Sequence, residues 1–144
     1  MRSMIENLYI WGKYLFMNKR IEYWVDLSDY DLETANAMLK SKRYLYVGFM
    51  CHLTIEKIFK AYFTLLKSAI APSTHSLSLL TRKGDFYEEF SAEQKDFIDQ
   101  LEPLNIEACY PSHKERLLKR LTQEKCIEIL NNTKLHQQWI KAKL

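Results

Sequence analysis

From Tyr44 to Lys67 the chain runs without a proline, and Val47, Phe49, Met50, Cys51, Leu53, Ile55, Ile58, Phe59, Tyr62, Phe63, Leu65 and Leu66 crowd nearly every side of the helix such a stretch would form. A helix that is apolar almost all round has to lie at the centre of a bundle, because no face of it belongs in water. The aromatic and β-branched run at 45–49 would also suit a strand, but the uninterrupted length favours helix. With only three Gly and three Pro among 144 residues, breakers are scarce and long helices are favoured throughout.

The flanking sequence supplies partners for that rod. Ile21, Trp24, Leu27, Leu32, Ala35, Met38 and Leu39 recur mostly at three- and four-residue steps, which predicts a helix over 18–42 with one apolar stripe. Pro72 ends the central helix. A short helix is expected from His75 to Leu80, closed by Gly84 in a left-handed cap. Ser91 with Gln94 reads as a capping box opening a helix over about 92–107, in which Pro103 threatens a kink or an early stop. After Tyr110-Pro111 the chain forms one long helix or two, with Thr122 the N-cap if there are two. The expected fold is all-α: an antiparallel up-down bundle of four to five helices over 18–144, with residues 1–17 an N-terminal extension that adds a further helix or is an upstream translated segment.

Cys51, Cys109 and Cys126 are odd in number and scattered, with no CxxC pair, which argues against a disulfide framework and against zinc. A reducing cytoplasm is expected, and no metal or cofactor. No stretch reaches the ~18 apolar residues that a bilayer span needs. The formal net charge of +3 is unevenly spread, since 85–112 is strongly acidic and 113–144 strongly basic. That asymmetry marks either an anion-binding face or helices of opposite sign that cover each other or a second copy of the chain.

No glycine-rich phosphate loop, GxSxG, HExxH or EF-hand loop occurs. Two sets of charged residues stand out instead. His52, Glu56 and Lys60 follow at i, i+4 spacing on the apolar rod, either as a buried network or ligand-contacting strip, or as its solvent edge carrying an ordinary ion pair. Arg116, Lys119 and Arg120 form a basic face preceded by Tyr110 and His113, where guanidinium groups could hold phosphate and a ring could stack on a base. A solvated helix face has the same pattern. His75 reads as a loop anchor more readily than as a general base, and Cys109 as a nucleophile only if Lys114 and Arg116 lower its pKa.

Taken together, these residues resemble the HEPN domain family. Glu56-Lys57-Ile58-Phe59-Lys60-Ala61 is similar to that family's E-K-x-x-K-A core, His75-Ser76-Leu77 to its H-S-L, and Ala108-Cys109-Tyr110-Pro111 to its A-R-Y-P. Trp24, Asp31-Leu32 and Ala35 look like its first helix, and Trp139-Ile140 like its last, so the resemblance spans 22–142. It implies a four- or five-helix bundle, commonly a homodimer, often encoded beside a minimal nucleotidyltransferase in a toxin–antitoxin or defence pair, with RNA or a nucleotide as ligand. Relatives that cut RNA use an arginine followed after four to six residues by a histidine. No arginine here has a histidine at that distance, and Cys109 replaces the arginine of A-R-Y-P. The resemblance therefore implies a non-catalytic module; the alternatives are a metal-independent ribonuclease with a divergent site built from His113, Arg116 and His52, and a structural dimer mating the acidic and basic segments.

Overall fold

A computed structural model describes residues 3–144, and the side chains of all of these except 106–109 and 111–113. Among the described residues there is no strand. Six α-helices follow in order: α1 (Met4–Lys40), α2 (Tyr44–Lys67), α3 (Leu77–Lys83), α4 (Ala92–Cys109), α5 (Pro111–Arg120) and α6 (Gln123–Lys141), with a 3-10 turn at Tyr87–Glu89 between α3 and α4. The all-α expectation holds, and α2 touches each of the other five helices. Its Val47, Cys51, Ile55, Ile58 and Phe59 are fully buried, as an all-round apolar rod requires.

Aromatic rings close the end of the bundle near α3. Phe86 packs edge-on to Phe59 at 5.6 Å and to Tyr62 at 4.9 Å, and Phe90 joins Phe59 to Trp139 of α6. Such ring pairs contribute ~0.5–1.5 kcal/mol each beyond their burial. At the opposite end Gly48 lets α4 and α5 approach α2, since a Cβ there would lie 3.2 Å from a Leu104 methyl and 3.3 Å from a Leu121 methyl.

Local signals placed most helix ends. Ser91 caps α4 with the reciprocal Gln94 bond of a capping box, and Thr122 accepts from the Lys125 N–H at 3.2 Å, so the C-terminal stretch is two helices. Between α4 and α5, Tyr110 is extended, as the residue before a proline must be, and Pro111 occupies the first turn of α5.

Four expectations need correcting. α1 does not start at residue 18 but runs unbroken from Met4 for 37 residues, capped by Ser3 with Glu6 in a second capping box. α3 begins at Leu77 with Ser76 as N-cap, leaving His75 outside it. Gly84 is right-handed, with φ −78°, and the left-handed residue is Asp85, with φ 60°. Glycine is needed at 84 for room: a Cβ would fall 2.4 Å from the Phe86 ring. Finally, Pro103 neither stops nor divides α4, because the hydrogen bond it forfeits belongs to the carbonyl of Asp99, on an exposed position where water can serve it.

Candidate functional site

The polar face of α2 is not a solvent edge. His52, Glu56 and Lys60 are 0%, 1% and 7% exposed, so the reading of an ordinary surface ion pair is overturned. α1 covers this face, and the segment between α2 and α3 closes over its end. Lys60 Nζ lies 3.3 Å from Glu56 Oε2 and 5.1 Å from the centre of the Trp24 ring, whose π face favours a cation. The His75 ring, itself 70% exposed, reaches in to Glu56 Oε1 with Nδ1 at 2.8 Å. A carboxylate only accepts, so the imidazole donates this bond. Glu56 is thereby held by two donors from different parts of the chain, the condition under which a buried charge is tolerated.

The neighbouring residues extend the same framework. Next to Glu56 in the chain, Lys57 pairs with Asp31 of α1 at 3.3 Å. Beyond His75, Thr74 Oγ1 accepts from the Ser76 N–H, Ser76 Oγ accepts from the Leu79 N–H, and both oxygens of Glu102 on α4 accept from the N–H groups of Leu77 and Ser78 at 2.9 Å. Thus the first turn of α3 has its open donors met by a carboxylate from a third helix, the favourable sign at a helix N-terminus. Leu77, the first residue of α3, is fully buried.

His52 is different from its neighbours. Its Nδ1 stands 3.9 Å from Glu56 Oε1, beyond hydrogen-bond reach, and neither ring nitrogen makes a hydrogen bond of normal geometry, the His75 backbone being near enough only to oppose the loss of its proton. Burial pushes its pKa down from 6.5 to about 4, with the nearby Glu56 opposing that shift. A neutral, sealed imidazole is what this position holds, and no substrate reaches it in this conformation.

A second buried polar set went unnoticed in the sequence. Ser28 of α1 donates to the Thr54 carbonyl at 2.8 Å, and Gln137 of α6 donates to Ser28 Oγ and to Asp29. Lys141 also pairs with Asp29. The available signal was Ser28 falling within the apolar stripe between Trp24 and Leu32, at a place where the helix faces the core.

The other candidate residues are on the outside. α5 buries Leu117 and presents Lys114, Arg116, Lys119 and Arg120 to solvent, and Leu121 just after it is buried. Tyr110 is exposed at the start of α5. The side chains of His113, Cys109 and Pro111 lie outside the described residues. Beside the basic helix, Asp99, Pro103, Leu117, Arg120, Lys125 and Ile129 help line a groove of about 280 Å³ between α4, α5 and α6. The structure therefore separates the two charged sets: Gly48, not Glu56, is where α2 meets the end of α5, and about two turns of helix, or ~12 Å, lie between those positions. No group of His, Cys, Asp and Glu side chains suited to a metal ion occurs among the described residues, and none of their helices is long and apolar enough to cross a membrane.

The convergence of Asp31, Glu56, Lys57, Lys60 and His75 coincides with a match to a protein-family model, that of the HEPN domain, over residues 21–143. The chain belongs to the HEPN domain family. Among solved structures, the crystal structure of TT1696 from Thermus thermophilus superposes with a TM-score of 0.71 at 16% identity, covering 87% of this chain and 98% of that one. At that identity the likeness is one of fold. No curated protein sequence matches. The HEPN motif residues have a physical meaning here: E-K-x-x-K supplies the buried acid, the lysine that pairs with it and a second lysine that ties α2 to Asp31 of α1, and H-S-L supplies the anchor and cap that fasten the α2–α3 connection to them. Residues before 21, including the first half of α1, fall outside the HEPN match.

Proposed function

We propose that this HEPN chain is a non-catalytic binding module that holds RNA or a nucleotide on the outer face of α5, in the cytoplasm and beside a minimal nucleotidyltransferase partner of a toxin–antitoxin or defence pair. The observation that carries the reading is the build of α5. A short helix anchored by Leu117 turns four basic side chains outward, next to an exposed tyrosine and a groove with an apolar floor. Phosphates suit the guanidinium and ammonium groups, and Tyr110 offers a ring on which a base can stack. The non-catalytic part rests on the missing arginine–histidine spacing and on His52, which is sealed from any substrate.

Titrating the full chain with labelled single-stranded RNA and with ATP at two salt concentrations tests this reading. Binding is expected to weaken with salt, and the triple variant Arg116→Ala/Lys119→Ala/Arg120→Ala is expected to lose affinity and to flatten the log–log salt slope by ~2, at ~0.7 for each phosphate no longer neutralised. Unchanged affinity in the triple variant would reject the site. Cleavage of the RNA by the unmodified chain would reject the non-catalytic part.

A further inference from the structure

The first half of α1 projects past the bundle. Residues 4–16 form an arm of ~20 Å at 1.5 Å per residue, and it carries much of the exposed apolar surface of the molecule. Along one line of the arm stand Met4, Leu8, Trp11 and Leu15, at steps of four, three and four residues, each between 55% and 79% exposed. Such spacing is the seam by which one helix packs against another. We propose that the arm pairs with the arm of a second copy of this chain, antiparallel, through that seam. The HEPN match begins only at residue 21, so the family implies nothing about this surface.

Three observations choose the occupant and the direction. First, the seam is complementary to itself when reversed. In an antiparallel pair centred between residues 9 and 10, Met4 faces Leu15 of the other copy and Leu8 faces Trp11, so every large side chain meets another apolar one. Gly12 beside the seam has open space where a Cβ would be, which admits close approach of the second helix. Second, charge rejects the parallel pair. About two helical turns beyond Leu15 along the same line, the stripe becomes acidic and exposed at Glu22, Asp26 and Glu33. Parallel association would set these carboxylates against their own copies, whereas the antiparallel pair ends before they begin and keeps the two bundles at opposite ends.

Third, the area is sufficient. Covering the four seam residues with the flanking Ile5 and Tyr14 on both copies removes on the order of 1,000 Å² from water, the floor for a specific interface. A lipid surface fits less well, because an interfacial helix carries one strongly basic polar face, while here Glu6 and Lys13 offset each other and apolar residues continue round the helix. Phe16, round the side, is partly covered by Arg20, whose guanidinium lies 5.8 Å from its ring centre.

Sedimentation of the full chain over a concentration series decides the matter, with circular dichroism as the check on folding. The unmodified chain is expected to dimerise in the micromolar range, and Leu8→Glu/Trp11→Glu to be monomeric there, with helix content and melting temperature equal to those of the unmodified chain at concentrations where that chain is itself monomeric, since both side chains are exposed in the monomer. Register is tested by oxidising Met4→Cys protein mixed with Leu15→Cys protein: the mixture is expected to yield more disulfide-linked dimer than either variant alone. A monomer at every concentration, a dimer indifferent to Leu8→Glu/Trp11→Glu, or cross-linking no greater in the mixture would overturn the proposal. So would a chain that stays monomeric and binds anionic vesicles through the arm.

Discussion

The charged faces of α2 and α5 have much the same sequence appearance, and the fold treats them in opposite ways. On α2, Glu56 and Lys60 are covered by Trp24 from α1 and by His75 from the next connection, so their charges face one another. On α5, Leu117 alone turns inward among the described positions from 114 to 120. Helical spacing identifies which side chains share a face, but only the packing of distant elements decides whether that face meets water or protein. A buried ion pair needs every partner, while an exposed basic helix tolerates loss of any one.

The largest effect that would break this contrast is removal of the buried acid. Glu56→Ala leaves Lys60 without its counter-charge in a nearly closed site, and urea unfolding should show a loss of ~3–5 kcal/mol. A change below about 1 kcal/mol would place the cluster in water, as surface pairs behave. His52 sharpens the comparison through pH. Above its ordinary value of 6.5 the imidazole is neutral in both states; below it, the unfolded chain takes up a proton that the folded chain refuses until about pH 4. Stability should therefore fall between pH 6.5 and 4, by roughly 3 kcal/mol from this group. His52→Leu should flatten that part of the profile, and an identical slope in the variant would show that the histidine is not sealed.

His75→Ala removes one bond to Glu56 from an exposed ring, and its expected cost is smaller, ~1–2 kcal/mol by the same unfolding measurement. Smallest of all is the effect on stability of Arg116→Ala/Lys119→Ala/Arg120→Ala, expected within ~0.5 kcal/mol per substitution because these positions are on the surface. A steep loss there would make α5 a structural element of the same kind as the α2 cluster.

What was legible in the sequence was local. The crowded apolar residues of α2 announced its central place, Ser91 with Gln94 and Thr122 marked helix starts, and Tyr110-Pro111 marked a break, since each depends on atoms only a few residues apart. The HEPN motifs were legible as a set as well. Their purpose was not, because Glu56 meets His75 across 19 positions and Glu102 reaches α3 across 25. The same limit hid Gly84, whose requirement is the space occupied by Phe86 rather than a turn of the backbone. The start of α1 escaped for a different reason: residues 4–16 carry apolar side chains on faces that do not pack on this bundle, so they do not continue the stripe from which the rest of α1 was read.

The division of labour between the two charged faces is tested most directly on His75, the part of the α2 cluster that reaches the surface. In a titration with labelled single-stranded RNA, the His75→Ala protein should bind with the affinity of the unmodified chain, because its role is to hold Glu56 and the start of α3. A loss of about tenfold or more, ~1.4 kcal/mol, in a folded His75→Ala protein would contradict the account and move the ligand from α5 to the mouth of the buried cluster.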